Sequence, residues 1–399
     1  MTSSSKRSER IRVVIGSLDV GGAERHLVQI LPKLSAMGFS VVVIVITHRG
    51  ALADELENQG IKVIGPGKFV QSIRQIRVLG SILAPVIWVS HLMRRFREHR
   101  ADITCLYLPS AYILGMLAQS LVFQNTLTIM FRRSLNAYQK KHVVLGLLER
   151  QLHKRVHRIV GNSAAIIRQL KDDERVDGGK LTLIHNGVDL RLYSNVTDRN
   201  QVRSGLGISS EETVIILVAN LIPYKGHKDL ICALGEVAKT DNSPWTLLCV
   251  GSGIEKRRDL VGLVTSLKLN SRVKWLGLRT DIPDILSASD IGLLISHEEG
   301  FANAILEGMA AGLPMIVTDV GGNREAVRHE QTGLIVPPRD PQQLAQAICD
   351  LLKDSEKCRR FGEAGRRRAT EKFSLAACVS RYAQLFDELA RDCRSPKAH

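Results

Sequence analysis

The chain has 399 residues, of which 44% are hydrophobic and 5% aromatic, and it carries a formal charge of +15. This length suggests two domains of similar size, and the apolar content is sufficient to form large buried cores. The seven cysteines include no C-x-x-C pair and no zinc-like spacing with histidine. The composition therefore argues against a zinc site and favours a reduced, cytoplasmic protein.

Positive charge is concentrated in the first half of the chain. Residues 1–195 contain 28 Lys and Arg against 14 Asp and Glu, whereas residues 196–399 contain 27 against 26. A basic half indicates an acidic partner, which is anionic lipid, a phosphorylated substrate or nucleic acid. Nucleic acid is disfavoured because aromatics are few and no stacking or helix-turn-helix motif is present. The opening MTSSSKRSER lacks the apolar core of a signal peptide and is predicted to be a basic tail.

Short apolar runs alternate with helical patterns along the chain. Seven such runs lie between IRVVIGS (11–17) and LTLIHNG (181–187), and six lie between TVIILVAN (213–220) and TGLIVPP (332–338). This βαβα order is typical of parallel sheets with helices on both faces. We therefore predict an α/β fold of two doubly wound, Rossmann-like domains that face a central cleft, with ligands at the carboxyl ends of the strands.

The domain boundaries are predicted from polarity. The polar stretch 188–212 is interpreted as a linker between a basic first domain at 1–195 and a second domain at 196–365. The chain after this second domain is helical in pattern and rich in charge. Residues 366–399 are therefore predicted to form helices that cross back to the first domain.

A glycine pair follows the first predicted strand. In GSLDVGGAERHLVQIL (16–31), Gly21 and Gly22 come after the strand and open a helix. Backbone N–H groups in this setting can face an anion, although a tight strand-to-helix turn is the alternative. The sequence has no G-x-G-x-x-G, so a dinucleotide-binding fingerprint is not supported.

Two apolar segments raise the question of a membrane. Residues 103–131 contain no charge, but polar residues interrupt them, which favours a buried strand, helix and strand over a membrane span. Residues 78–100 contain sixteen mostly apolar positions followed by a basic cluster. This pattern predicts either an interfacial helix on an anionic membrane or an ordinary helix that covers a sheet.

A basic segment follows the predicted strand TLTIMF. RRSLNAYQKKH (132–142) begins with Arg132 and Arg133 and contains no acidic residue. We predict that it contacts a substrate or a phosphate of that substrate. A solvated run of charges is the alternative.

The second half opens with a lysine in a loop between a strand and a helix. In VANLIPYKGHKDLI (218–231), the strand is predicted to end at Asn220, and Lys225 stands just before the next helix. A lysine in this position can reach a phosphate as a point charge, or it can simply be solvated. Gly251 belongs to a similar glycine turn, and the strand edge at 277–279 offers backbone amides to a flat base.

The segment HEEGFANAILEGMAAG (297–312) places two carboxylates in an apolar context. Glu299 lies in the loop after the strand IGLLIS, Asn303 is predicted to cap the following helix, and Glu307 lies about one turn into that helix. Carboxylates accept paired hydrogen bonds from vicinal hydroxyls, as sugars and ribose provide, and the amides of residues 300–303 suit a phosphate. The alternative is a capping acid and a surface acid. Glu298 is assigned no role.

These motifs together resemble the family-4 glycosyltransferases, which have the GT-B fold. The resemblance covers nearly the whole chain and is strongest from about residue 218 to 338. Glu299-x7-Glu307 looks like the signature pair of the family. The segments that carry the resemblance, in the order of the family, are GGAERHLVQILPKL, VGNSAAIIRQL, IHNGVD, IPYKGH, GSGIEKRRDL, EEGFANAILEGMAAGLPMIVTDVGG and TGLIVPPRDPQQLAQAI.

The resemblance implies a metal-independent, retaining transfer from a nucleotide sugar, with no cofactor and no metal site. Glu299 and Lys225 are the implied catalytic residues. Glu299 would hold sugar hydroxyls, Lys225 the leaving diphosphate, and Glu307 the ribose. The residues predicted to bind the donor are Gly22, Asn220, Lys225, Gly251, Gly277, Leu278, Arg279, Glu299, Gly300, Phe301, Ala302, Asn303 and Glu307.

The sequence departs from the family pattern at two places. Many members carry Arg where Asn220 stands, so His227, Lys228 or the Arg132–Arg133 pair compensates, or activity is slow. Many also carry His after the fourth strand, where this chain offers Tyr107. Tyr107, Arg132 and Arg133 are therefore the predicted acceptor-binding residues.

The sequence thus predicts a cytoplasmic glycosyltransferase, peripheral on the membrane face. It would transfer a sugar from a UDP- or GDP-linked donor to a glycan or to a lipid-linked acceptor. The product would belong to polysaccharide, lipopolysaccharide or glycolipid synthesis. The alternative is a nucleotide-sugar epimerase or a sugar-phosphate synthase with the same fold.

Overall fold

A computed structural model describes residues 9–67, 79–136, 139 and 142–394. The chain divides into two compact units. Unit 1 comprises Met1–His185 together with Cys378–His399, and unit 2 comprises Asn186–Ala377. The sequence placed the division at residue 195, about ten residues later.

The stretch interpreted as a polar linker is a folded part of unit 2. Its short helix Arg199–Gly205 contains Arg203, whose guanidinium is buried and pairs with Asp290 at 2.6 Å. Arg199 pairs with the same carboxylate. The segment looked like a linker because its charged residues are numerous, but two of its arginines are bound to unit 2.

Unit 1 is built on a parallel sheet of seven strands in the order β3-β2-β1-β4-β5-β6-β7. The strands are Arg10–Ser17 (β1), Ser40–His48 (β2), Lys62–Ile64 (β3), Ile103–Tyr107 (β4), Leu127–Arg132 (β5), Arg158–Gly161 (β6) and Leu181–Leu183 (β7). The helices of its described residues are Gly22–Ala36 (α1), Leu52–Asn58 (α2), Leu79–Glu98 (α3), Leu108–Val122 (α4), Val143–His153 (α5) and Ala164–Asp172 (α6).

The two apolar segments both belong to the folded core of unit 1. Residues 103–131 form β4, α4 and most of β5, which confirms the predicted strand, helix and strand. Helix α3 packs against β2 and α4, and it buries Leu92 and Phe96. It is therefore a helix that covers the sheet; residue 78 of the predicted segment lies outside the described residues. Across the part of the chain that is described, none of the helices has both the length and the apolar character needed to cross a membrane.

Unit 2 contains a parallel sheet of six strands in the order β10-β9-β8-β11-β12-β13. The strands are Thr213–Val218 (β8), Trp245–Val250 (β9), Val273–Gly277 (β10), Ile291–Leu294 (β11), Met315–Thr318 (β12) and Gly333–Val336 (β13). After Arg199–Gly205 (α7), the helices are His227–Thr240 (α8), Arg258–Ser266 (α9), Ile282–Ser287 (α10), Asn303–Ala310 (α11), Asn323–Ala326 (α12), Pro341–Lys353 (α13) and Ser355–Lys372 (α14). The last helix, Leu375–Arg394 (α15), begins in unit 2 and belongs to unit 1 from Cys378 onward.

Alternate residues of each strand in unit 2 enter separate cores. Ile215 and Leu217 of β8 join one apolar cluster, while Val214 and Ile216 join another on the opposite face. Successive side chains of a strand point to opposite faces, so helices must cover both sides of this sheet. The structure confirms the predicted class: two Rossmann-like units, each with a doubly wound parallel sheet.

Candidate active site

The sheet of unit 2 has a topological switch point between β8 and β11. The chain leaves β8 toward β9 and β10 on one side, then continues at β11 toward β12 and β13 on the other. Open α/β sheets bind ligands at such a point, outside the carboxyl ends of the strands. Lys225 lies in the loop after β8, and Glu299 lies in the loop after β11.

These two residues form an ion pair at the switch point. The Lys225 Nζ lies 2.5 Å from Glu299 Oε1, and the Ser296 hydroxyl donates a hydrogen bond to the same oxygen at 2.7 Å. The side chains of Lys225 and Glu299 are 18% and 11% exposed. Because the pair is mostly desolvated, its charges interact strongly with a ligand. Because it is still partly open to solvent, a ligand can reach the two side chains in the orientation that they already have.

Two glycines allow the loops that carry this pair to approach other backbone closely. Gly226 has φ +73°, and a Cβ there would lie 1.8 Å from the carbonyl oxygen of Ile295. Gly321 has φ +51°, and a Cβ there would lie 1.9 Å from the carbonyl oxygen of Glu299. Only glycine fits both the positive φ and the contact, so the loop geometry is fixed by sequence.

Helix α11 brings Glu307 to the same edge of the sheet. Glu307 lies one turn into the helix and is partly buried near Tyr193, whose pKa is raised first by burial and then by the Glu307 charge. The cap prediction for Asn303 was wrong. Asn303 is the first helical residue, and Ala302 is the N-cap. The Asn303 amide oxygen accepts a hydrogen bond from Asn186 Nδ2 at 2.6 Å and caps no helical N–H.

The residues between the two carboxylates contribute backbone rather than side chains. Phe301 is 4% exposed and packs on Phe373 with ring centroids 5.4 Å apart. Its carbonyl accepts a hydrogen bond from Asn186 at 2.9 Å. Gly300 is buried, and Ala302 gives α11 no side-chain cap.

Asn220 and two glycines form a second group at this edge. The Asn220 side-chain oxygen accepts hydrogen bonds from the Ser252 N–H at 3.1 Å and from its hydroxyl at 3.0 Å. The Gly251 N–H donates to the Gly277 carbonyl at 2.9 Å. Asn220 thus holds the glycine turn after β9 instead of presenting a charge.

The predicted base-binding edge is exposed at the end of β10. Gly277 has φ +65°, and Leu278 is 61% exposed. The Arg279 guanidinium binds both oxygens of Asp281, at 2.8 and 2.6 Å. Arg279 is therefore engaged within its own loop, while Leu278 lies open to solvent.

In unit 1, the switch point lies between β1 and β4. Helix α1 starts at Gly22, which is exposed, and its N-cap Gly21 provides no side-chain hydrogen bond. The pKa of Glu24 in its first turn is raised, chiefly by burial, and the nearby charge of Arg133 opposes this shift. Gly22, Glu24 and Arg133 are therefore neighbours at the carboxyl edge of this sheet.

Tyr107 is a core residue, which contradicts its predicted role in acceptor binding. Its side chain is 1% exposed and stacks on Phe131, with ring centroids 4.3 Å apart and planes inclined by 6°. Burial raises the pKa of its hydroxyl. The last residue of β4 points into unit 1, where Tyr382 of α15 also stacks on Phe131.

Arg132 also faces the interior, which contradicts the prediction that it binds the acceptor. Its Nη2 lies 2.9 Å from Glu149 and 2.8 Å from Glu174, and all three side chains are at most 1% exposed. His153 contacts Glu174 at 2.9 Å. Glu149, His153 and Glu174 are close enough to share a metal ion, but the guanidinium already contacts both carboxylates.

Two residues that support the site were missed in the sequence. Ser296 holds Glu299, and His297 contacts Asp229 at 2.6 Å while its N–H donates to the Tyr224 carbonyl at 2.7 Å. The polar Ser296–His297 end of an apolar strand was the available signal. The partners of His297, however, come from the loop and helix after β8.

The matches to known families cover most of the chain. Residues 198–368 match the family described as glycosyl transferases group 1, and residues 20–192 match the family described as glycosyltransferase family 4. The first match includes all six strands of unit 2, and the second includes β2 to β7 of unit 1.

Two curated relatives match over part of their length. The chain is 30% identical over 241 residues to N-acetyl-alpha-D-glucosaminyl L-malate synthase of Bacillus anthracis, which is 60% of each chain. It is 29% identical over 221 residues to D-inositol 3-phosphate glycosyltransferase of Nocardia farcinica, which is 54% of this chain and 49% of that one. The chain thus spans about half to three fifths of the length of these relatives.

Solved structures match the fold over nearly the whole chain. HepE of Anabaena, in complex with UDP and glucose, superposes with a TM-score of 0.82 at 24% identity and covers 95% of this chain and 99% of its own. Sucrose-phosphate synthase of Thermosynechococcus elongatus gives a TM-score of 0.77 at 22% identity, over 96% and 99%. The chain therefore consists of a domain of glycosyltransferase family 4 at residues 20–192 and a domain of the glycosyl transferases group 1 at residues 198–368, and it has the GT-B fold.

Proposed function

We propose that the chain is a retaining, metal-independent glycosyltransferase. It would transfer a sugar from a UDP- or GDP-linked donor to a glycan or lipid-linked acceptor in the synthesis of cell-surface polysaccharide, lipopolysaccharide or glycolipid. The observation that carries this proposal is the Lys225–Glu299 ion pair at the switch point of unit 2. The named activities of the two curated relatives, both sugar-transferring enzymes, support the same class.

The donor would lie along the carboxyl edge of unit 2. Lys225 has three N–H donors, so it can bind Glu299 and a diphosphate oxygen together. The N-terminus of α11 has no side-chain cap, and the N-terminus of a helix favours a phosphate. Glu307 suits the vicinal hydroxyls of ribose, and the exposed backbone of 277–279 suits the base.

The proposed transfer breaks the bond between the anomeric carbon and the diphosphate and forms the bond to the acceptor oxygen on the same face. The departing phosphate oxygen takes the proton of the acceptor hydroxyl. Glu299 positions the sugar hydroxyls and Lys225, and it forms no covalent bond to the sugar. The main contribution of the protein is stabilisation of the negative charge that develops on the diphosphate, through Lys225 and the amides of α11.

In unit 1, Gly22 and Arg133 are the remaining candidates for contact with the acceptor. Arg133 lies near Glu24 at the carboxyl edge of the sheet, while Tyr107 and Arg132 belong to the interior. The excess of basic residues in unit 1 suits an anionic acceptor at the cytoplasmic face of a membrane.

A panel of UDP- and GDP-linked sugars tests the proposal. We expect one donor to raise the melting temperature, since a ligand that binds only the folded state adds about 2.7 kcal/mol at a concentration 100 times its Kd. With that donor, transfer should continue in EDTA, and NMR should show the anomeric configuration of the donor in the product.

Each part of the proposal has an outcome that contradicts it. Loss of transfer in EDTA would exclude the metal-independent reaction, and an inverted anomer would exclude retention. Interconversion of the donor without any acceptor would favour the epimerase. If no donor of the panel shifts the melting temperature, the donor assignment is wrong.

A further inference from the structure

Helix α5 of unit 1 exposes a cluster of aliphatic side chains. Val143 is 63% exposed, Val144 79%, Leu145 46% and Leu147 58%. Single exposed apolar residues are ordinary on a protein surface, but four among five consecutive positions form a patch. This set is called the α5 patch below.

The core-facing side of α5 is already occupied by other residues. Gly146, Glu149, Leu152 and His153 are buried, and Glu149 and His153 belong to the polar network around Arg132. The orientation of the helix is therefore fixed by its inner side. The apolar residues of the patch face outward although they add nothing to the core.

The exposed charges that follow the patch are all positive. Arg150, Lys154 and Arg155 are exposed, and Glu149 is the only carboxylate between residues 133 and 157. Glu149 is buried against Arg132, so its charge is neutralised inside the unit. This arrangement complements an anionic bilayer: the apolar side chains suit the acyl region, and the exposed cations suit the anionic headgroups.

The position of α5 gives this surface a functional place. Helix α5 connects β5 to the parallel strand β6, so its first turns lie toward the carboxyl edge of the sheet. Gly22 and Arg133 lie at that edge as well. A membrane bound there would lie next to the part of unit 1 that is proposed to bind the acceptor.

We propose that the α5 patch inserts into the interface of an anionic membrane, with Arg150, Lys154 and Arg155 at the lipid headgroups. The inference deepens the proposed function, on which it rests, by naming the surface through which the enzyme reaches lipid. It also replaces the segment 78–100 as the predicted membrane contact, because Leu92 and Phe96 of α3 pack in the core.

Vesicle flotation with the purified full chain tests this surface. Vesicles of phosphatidylglycerol and phosphatidylcholine are compared with phosphatidylcholine alone at low salt. Val144→Glu combined with Leu147→Glu should weaken binding to the anionic vesicles by roughly tenfold or more, since both side chains would leave the apolar phase. Arg150→Glu with Lys154→Glu should remove the preference for anionic lipid.

A matched control is Val261→Glu on helix α9 of unit 2, where Val261 is 43% exposed. It places the same charge on a different exposed aliphatic position, and vesicle binding should stay at the wild-type level. All variants should keep the wild-type melting temperature and the shift caused by the donor sugar nucleotide, which shows that fold and donor site are intact.

Three results would overturn the inference. Wild-type protein that ignores anionic vesicles at low salt excludes the membrane contact. If the Val144→Glu, Leu147→Glu variant binds anionic vesicles as well as the wild type does, the α5 patch is not the membrane contact. If that variant loses self-association but still binds vesicles, a second copy of the chain covers the patch instead. In each case, the proposed function would still hold if the donor sugar nucleotide raises the melting temperature and sugar is transferred to a water-soluble acceptor. If no donor raises the melting temperature of the wild type, the proposed function itself is contradicted.

Discussion

The carboxyl edges of the two sheets use their charged residues in opposite ways. In unit 2, Lys225 and Glu299 pair with each other while remaining 18% and 11% exposed. In unit 1, Arg132 pairs with Glu149 and Glu174, and all three are buried. The first arrangement can meet a ligand, whereas the second holds the unit together.

The difference follows from where each residue stands relative to its strand. Arg132 is the last residue of β5, so the alternation of the strand directs its side chain into the layer below. Lys225 comes after the end of β8 at Val218, in a loop that leaves the sheet. A charge within a strand and a charge in the loop after it therefore have different fates, although both are near a strand end in the sequence.

The largest expected effect concerns the buried network. Arg132→Met leaves Glu149 and Glu174 without their guanidinium, and breaking a buried ion pair in this way costs about 3–5 kcal/mol. We expect that loss in the free energy of unfolding, measured by urea titration. Arg133→Met, one residue later, is the matched control and should change stability far less. A stable Arg132→Met variant that binds the acceptor poorly would break the comparison between the two edges.

A smaller effect is expected at the loop of unit 2. Gly226→Ala forces a Cβ against the Ile295 carbonyl at a positive φ, and should cost at least about 2 kcal/mol of unfolding free energy. The melting temperature should fall, and the shift caused by the donor should shrink because Lys225 moves. Gly262→Ala on α9, where a Cβ meets open space, is the control and should be neutral or stabilising. Equal behaviour of the two variants would remove the geometric argument for Lys225.

The smallest effect is a dependence of stability on pH. Burial lowers the pKa of His227, at the start of α8, from 6.5 to about 4. The unfolded chain then binds a proton below about pH 6.5 that the folded chain refuses until about pH 4, so stability falls as the pH falls through this range. His227 should account for about 2 kcal/mol of loss between pH 7 and pH 5.

His227→Gln removes the contribution of this imidazole to the pH dependence of the unfolding free energy. Chemical denaturation at both pH values should show a smaller loss in the variant than in the wild type. An identical loss of unfolding free energy in both proteins would mean that folding does not lower the pKa of His227.

The fold, and the position of Lys225, Glu299 and Glu307 at one edge of a sheet, could be predicted from the sequence because their signals are local. Each strand is a short apolar run, and the residues Lys225, Glu299 and Glu307 stand in strand–loop–helix segments whose order fixes their edge of the sheet. The resemblance to the family named the class of ligand.

The positions of the unit 1 residues that the sequence suggested for acceptor binding could not be predicted in the same way. Arg132 and Tyr107 looked like surface residues after strands, but their partners are distant in sequence. Glu174 lies 42 positions after Arg132, and Phe131 lies on the neighbouring strand of Tyr107. Asn303 lost its predicted cap role for the same reason, since Asn186 is 117 positions away. Only the folded chain brings such pairs together.

The most direct test of the central claim, that the Lys225–Glu299 pair is the catalytic centre, is the rate of sugar transfer by Glu299→Gln measured beside Glu298→Gln. The substitution keeps the size of the side chain but removes the charge that holds Lys225. We predict a loss of about 100-fold or more for Glu299→Gln, with an unchanged melting temperature and near wild-type transfer by Glu298→Gln. Equal rates for the two variants would contradict the claim.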